Sequence, residues 1–304
     1  MRFLDVKTDF AFKKVFGSSD SKDILISFLN AIIFFETDRK IQDLTIVDPY
    51  NIPMLKGMKD TYVDVKAELN DGSQVIIEMQ ILNHEGFEKR ILYNAAKNYS
   101  IQLKKGDSYH LLNPVIALTI TDFVLFENSP ELISNFKLLE KKQFIEYSDD
   151  IELIFIELPK FIKTESEIKS IQDNWLYFIK NAGNFDHIPN SLGWELQKAF
   201  QIANEANLSE EELELQHKKK DWIYIQKSSI ELATKTGLKQ GIEQGIQQGI
   251  EQGLQKGVKQ GEWQAKIKMV LSAYQMGLAV PVISNLTGFD ENEILSILQK
   301  NGMT

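Results

Sequence analysis

Residues 59–81, KDTYVDVKAELNDGSQVIIEMQI, have little freedom in how they fold. Tyr62, Asp64, Lys66 and Glu68 alternate with Val63, Val65 and Ala67, and Gln74, Ile76, Glu78 and Gln80 alternate with Val75, Ile77, Met79 and Ile81. Period two with β-branched residues predicts two half-buried strands. Asn70-Asp71-Gly72 between them is a turn that ends in the residue most tolerant of positive φ. The loop length sets the register. A two-residue turn puts Asp64 opposite Met79 and mixes a polar face with an apolar one. A three-residue loop with Gly72 left-handed pairs Leu69 with Ser73, and so sets Asp64 opposite Glu78 and Tyr62 opposite Gln80. Only the second register keeps one face apolar. Cβ atoms of directly opposed residues lie roughly 4.5–5.5 Å apart, so the two carboxylates repel and call for a cation between them. Carboxylate oxygens with retained water suit Mg²⁺.

An Asp, about a dozen residues, then Glu-x-Lys or a variant on adjacent strands resembles the signature of the PD-(D/E)XK nuclease superfamily. The blocks TDFAFKKVFG (8–17), YVDVKAELNDGSQVIIEMQ (62–80) and HEGFEKRILYNAAKNYSIQLKKGDSYHLLNPVIALTITDF (84–123) are similar to its Rpn branch, the recombination-promoting nucleases, also labelled transposases. The resemblance covers roughly the first 160 residues. It implies that Asp64 and Glu78 bind Mg²⁺ or Mn²⁺, and that Gln80 stands where lysine is most frequent. Lys66, on the same strand face as Asp64, is then a substitute for activating the attacking water. An acidic residue of the first helix often completes such a site, and Asp9 is the nearest; it reads equally well as a helix-start acid favoured by the dipole.

With 304 residues the chain has room for two domains. The absence of cysteine excludes disulfides and thiolate metal sites. None of His84, His110, His187 and His217 is spaced as a zinc pair. MRFLDVKTDF lacks the apolar core of a signal peptide, and no apolar run reaches a membrane span, so a cytoplasmic location is expected, with no membrane partner. The net charge of −9 argues against unspecific coating of nucleic acid. Any DNA groove must use local patches, for which Lys13/Lys14, Lys89/Arg90, Lys104/Lys105 and Lys218–Lys220 are candidates; each is also an ordinary solvated face.

Thr8 predicts an N-cap for a helix over 8–16, and a second helix follows over 21–35. Residues 41–48 read as a short strand, 49–58 as a loop, 85–104 as a helix, and 114–121 and 151–158 as strands buried on both faces. Residues 130–148 are less regular, and 163–180 read as a helix. Arg90 and Gln102 are weaker candidates for contacting phosphate. Strands alternating with helices predict an α/β fold, a mixed central sheet of PD-(D/E)XK type flanked by helices, followed by an all-α C-terminal region. The Asn181-Ala-Gly-Asn break suggests a boundary near 183–190. The expected organisation is a nuclease-like domain over 1–185, a helical connector over 190–236, a glycine-periodic repeat over 237–261 and a small helical bundle over 262–304.

Glycine recurs every four residues from Gly237 to Gly261, with Ile242, Ile246, Ile250, Leu254 and Val258 in the intervals. Seven glycines cost an isolated helix roughly 7 kcal/mol relative to alanine. A period of four also drifts about 40° per repeat around a 3.6-residue helix. Two readings remain open, a flexible glutamine-rich linker or a helix that associates with copies of itself. The last forty residues suggest three helices in helix-turn-helix spacing. The final one starts Asp-Glu-Asn-Glu, which favours an oligomerisation or regulatory bundle over a DNA reader.

The expected function is therefore a metal-dependent DNA endonuclease, linked by the resemblance to recombination, mobile elements or phage defence, with DNA as substrate and a homo-oligomer formed through the C-terminal region. The alternative is a degenerate nuclease fold that acts only as a binding or oligomerisation module.

Overall fold

The computed structural model describes residues 1–34, 40–51, 61–189 and 192–303, which divide into two compact units, Met1–Lys227 and Ser228–Thr304. Among the described residues no helix is long and apolar enough to cross a membrane.

The first unit opens with α1 (Asp9–Phe16), whose N-cap Thr8 accepts from the Ala11 amide, and α2 (Lys22–Ile32). The strands are β1 (Leu44–Val47), β2 (Tyr50–Asn51), β3 (Thr61–Tyr62), β4 (Val65–Leu69), β5 (Gln74–Gln80), β6 (Val115–Thr121), β7 (Ile133–Leu139) and β8 (Glu146–Glu157). Helix α3 (Phe87–Ser100) links β5 to β6; α4 (Ile171–Asn181) and α5 (Trp194–Ile202) follow β8. Six strands form one sheet in the order β1-β4-β5-β6-β8-β7, and β2 pairs with β3 separately. Pairing is antiparallel for β1–β4, β4–β5 and β7–β8, and parallel for β5–β6 and β6–β8, so the sheet is mixed as expected. Parallel neighbours need a crossover, which α3 supplies between β5 and β6.

Helices cover both faces. On one side Phe12 and Phe16 of α1, Leu25 and Phe28 of α2, Trp175 of α4 and Phe200 of α5 pack over Val65, Ala67, Val75, Ile77 and Met79. On the other, Phe87, Ile91 and Ala95 of α3 pack over Ile76, Val115, Ala117 and Phe155. Strand β6 lies between two parallel neighbours and all seven of its residues are buried, which is why its sequence shows no alternation.

The hairpin adopts the three-residue loop. The ladder runs from Val65↔Ile77 to Glu68↔Gln74, the Leu69 amide donates to the Ser73 carbonyl at 2.8 Å, and Gly72 has φ +87°. Regular pairing ends at Val65, so Tyr62 does not face Gln80 as expected. It pairs with Tyr50 in the separate ribbon, its ring stacked at 4.5 Å between centroids.

Residues 130–148 hold β7 and the start of β8, a paired edge where the sequence shows no regular period. The pairing shifts register on both sides of Leu138, and a bulged edge strand keeps no clean period of two. The helix expected from 163 starts at Ile171, where Ser170 and Asp173 form a capping box. Residues 52–58 of the expected loop and Phe35 of the expected second helix lie outside the described residues.

The boundary expected at 183–190, which includes residue 190 outside the described set, is not where the compact unit ends. Leu196, Ala199, Phe200 and Ala203 belong to the main core, so the chain beyond the Asn181 break is needed to close it. Helix α6 (Glu210–Gln275) begins at a capping box: the Glu212 amide donates to Ser209 Oγ, and the Ser209 amide to Glu212 Oε2.

In the second unit the glycine-periodic segment is helical and lies wholly within α6. A Cβ added at any of its seven glycines would find no atom within 4 Å, and Ile242, Ile246, Ile250, Leu254 and Val258 are exposed. The bundle is built from the end of α6, α7 (Val280–Thr287) and α8 (Glu291–Lys300) around Val270, Ile283, Phe289, Ile294 and Leu298. Asp290 and Glu293 form the capping box that opens α8.

The hairpin turn is the stability-critical glycine. A Cβ at Gly72 would lie 2.7 Å from Asn113 Oδ1 on a backbone that L-residues rarely adopt. Gly72→Ala is expected to lower unfolding free energy by about 1–3 kcal/mol in urea titration, with the transition midpoint moved and its slope unchanged.

Candidate active site

Asp64 sits at the end of the hairpin, where the strand pairing gives way. Its amide donates to the Ile77 carbonyl at 3.0 Å, and its Oδ2 accepts from the Met79 amide at 2.8 Å. That second bond ties the carboxylate to the β5 backbone beside Glu78. Both side chains are only 12% exposed. Burial pushes the Asp64 carboxyl above its ordinary value, opposed by the Met79 amide and Lys13 and reinforced by Asp9. Burial likewise pushes Glu78 from 4.5 up to about 7, against the pull of Arg90 and with the Asp64 charge adding to the rise.

Each carboxylate has a cation from a helix. Lys13 of α1 lies 3.2 Å from Asp64 Oδ1, and Arg90 Nη2 of α3 lies 2.7 Å from Glu78 Oε1. The same Arg90 nitrogen donates to Gln80 Oε1 at 2.9 Å, and Gln80 Nε2 donates to the Leu82 carbonyl at 2.8 Å. Both ends of the Gln80 amide are thus engaged, and its geometry is that of a residue that positions Arg90. Asn94, one turn along α3, hydrogen-bonds Glu78, while its Oδ1 is buried with no hydrogen-bond partner among the described residues.

Asp9 acts electrostatically on both Asp64 and Glu78, yet its own carboxylate is half exposed and held by Lys219 of α6 at 3.0 Å. Among the described residues no three acidic or histidine side chains converge closely enough to form a complete metal cage. Two buried, mutually repelling carboxylates with an unpartnered amide oxygen alongside still suit a hard divalent cation that keeps water in its remaining positions. Lys66 is drawn elsewhere. Burial lowers its pKa, and the carboxylates acting on it are Glu68 and Asp48, not the acidic pair.

The basic candidates are mostly committed to ion pairs: Lys14 with Glu212, Lys218 with Glu214, Lys219 with Asp9 and Lys220 with Glu205. Gln102 is not turned to phosphate either; its amide clamps the Asn113 backbone through bonds of 2.9 and 2.8 Å at the entry to β6. Sequence reading missed Asn94, and it named Lys13 and Lys219 only as basic patches for a DNA groove, not as partners of the site's carboxylates. Nothing in their local pattern distinguishes them from other helix-surface positions, because only the docking of α1, α3 and α6 brings them to the hairpin.

A mixed sheet whose central antiparallel strands carry an Asp and a Glu-x-Gln at one end, flanked by helices that aim cations at them, defines a nuclease-type core. The sequence model of the PD-(D/E)XK nuclease family transposases matches residues 6–233, and the chain belongs to that family. The match extends well past the 160 residues of the sequence resemblance and takes in α4, α5 and the start of α6. No curated protein and no solved structure matches the chain.

The raised Glu78 value has a stability consequence. Between about pH 4.5 and about 7 the folded protein keeps a proton that the unfolded chain has lost, so stability falls as pH rises through that window. Glu78→Gln is therefore expected to raise metal-free stability by on the order of 1–3 kcal/mol at pH 8, with little change at pH 4, in urea titrations at the two pH values.

Proposed function

We propose that this protein is a metal-dependent DNA endonuclease that hydrolyses phosphodiester bonds, with Mg²⁺ or Mn²⁺ held by Asp64 and Glu78 and with Asp9 as an outer carboxylate. The observation that carries this reading is the Arg90 guanidinium. It bridges Glu78 and Gln80, and so supplies a cation beside the residue that by resemblance stands in the lysine's sequence position. When bound, the metal would polarise the phosphate and lower the pKa of a bound water.

The chain's own groups divide the remaining work. Gln80 holds Arg90 through its carbonyl oxygen. Arg90 presents a planar guanidinium, suited to the negative charge that grows on phosphate oxygens during hydrolysis. Lys13 balances Asp64, and Lys219 holds Asp9 at the edge of the site. The setting we assign is cytoplasmic, in recombination, mobile-element movement or defence against phage.

Nicking of supercoiled plasmid tests this. Wild type should nick with Mg²⁺ and not in EDTA, and Asp64→Ala and Glu78→Ala should abolish the activity. Arg90→Ala should lower the rate about 10²–10³-fold, the usual loss for one stabilising donor. Gln80→Lys in the Arg90→Ala background should recover part of it. Equal nicking by wild type and Asp64→Ala would support the non-catalytic binding module instead.

We also propose that the chain forms a homo-oligomer through the glycine-periodic part of α6. Support comes from the open space at all seven glycines and the exposed apolar residue that follows each of the central five. Ridges at four-residue spacing suit close crossing of two helices. Light scattering should give a mass above 34.9 kDa for the full chain, and Gly245→Leu with Gly249→Leu should shift it toward the monomer.

A further inference from the structure

Beside the acidic pair lies an open groove of about 620 Å³, lined by Tyr62 of β3 and by Lys89, Arg90, Tyr93 and Asn94 of α3. Its volume falls in the range of small-ligand sites. Tyr62 is 62% exposed although its ring stacks on Tyr50, so the pair forms a supported aromatic platform with much of its area still open. Tyr93 is partly exposed on α3, one turn from Lys89. Two of the residues that line it, Arg90 and Asn94, also carry buried polar atoms with no hydrogen-bond partner among the described residues, Arg90 Nε and Asn94 Oδ1.

We propose that this groove holds an unpaired nucleotide of the strand being cut, with its base against the tyrosine rings and its phosphate on Lys89 and Arg90. This rests on the endonuclease reading and names its substrate class: DNA that is single-stranded next to the scissile bond. A duplex offers side chains only base edges and phosphates, because its base faces are covered by the stack. An exposed ring can stack on a base only if that base is out of the helix. The groove shares Arg90 and Asn94 with the acidic pair, so the nucleotide it holds adjoins the reacting phosphate. The net charge of −9 gives little general attraction for DNA, which makes this local pair of cations with two rings the more decisive.

The test is fluorescence anisotropy with a labelled single-stranded oligonucleotide and a blunt duplex of the same sequence. It is run in EDTA so that binding is read without turnover, on the full chain and on Tyr62→Ala, Tyr62→Phe and Tyr93→Ala. The single strand should bind more tightly than the duplex. Tyr62→Ala should weaken single-strand binding about five-fold or more and leave duplex binding within two-fold, and Tyr62→Phe should restore it. Tyr93→Ala should show the same selective loss. The proposal is overturned if the duplex binds as well as the single strand, if Tyr62→Ala weakens both equally, or if neither oligonucleotide binds. The endonuclease reading fails by a different measurement, plasmid nicking that does not depend on Asp64, so the two failures are separable.

Discussion

Two carboxylates held together out of water at the end of one hairpin set the electrostatic problem that this domain is built around. Asp64 is tied to the β5 backbone by the Met79 amide, and Glu78 projects from that same stretch of strand, so neither can retreat from the other without breaking the hairpin. Burial raises the pKa of both groups, and the Asp64 charge adds to the rise at Glu78. What offsets it comes from the helices that pack on the sheet: Lys13 from the first helix and Arg90 from the crossover helix, with Lys219 steadying the outer carboxylate Asp9. The helices are therefore held to the sheet by charge as well as by the apolar layers beneath them.

The same arrangement explains how an acidic protein can carry a nuclease-type site. Most of its paired lysines are already committed to carboxylates, which limits indiscriminate attraction to nucleic acid. The start of α6 shows how closely the parts are joined. Gln216 is buried against Thr8, the cap of α1, and Lys14 and Lys219 of the two helices each reach a carboxylate on the other. A family match that runs to residue 233 is consistent with this, since a domain cut before α6 would lose the partner of Asp9.

The glycine-periodic stretch is a different kind of object. Within its unit it buries nothing at the glycines, so packing inside that unit does not account for its regularity. A helix with seven glycines and a row of exposed branched residues has low intrinsic stability and a large unsatisfied apolar surface, two costs that close association with another helix would offset together.

The alternation of residues 62–81 and the Asn-Asp-Gly turn were enough to derive the hairpin register from the sequence, because a slip of one residue would exchange the buried and exposed faces of a strand. The buried run of β6 was legible for a similarly local reason. Tertiary structure alone decided the rest. It ended the hairpin at Val65 and turned Tyr62 toward Tyr50, it drew α5 into the core past an apparent boundary, and it tied Gln80 to Arg90 rather than leaving it to face a water. Period, turn and cap are written in residues a few positions apart. The partner of a buried charge is chosen by whichever element folds over it, and here that element lies about ten residues away for Glu78 and some two hundred for Asp9.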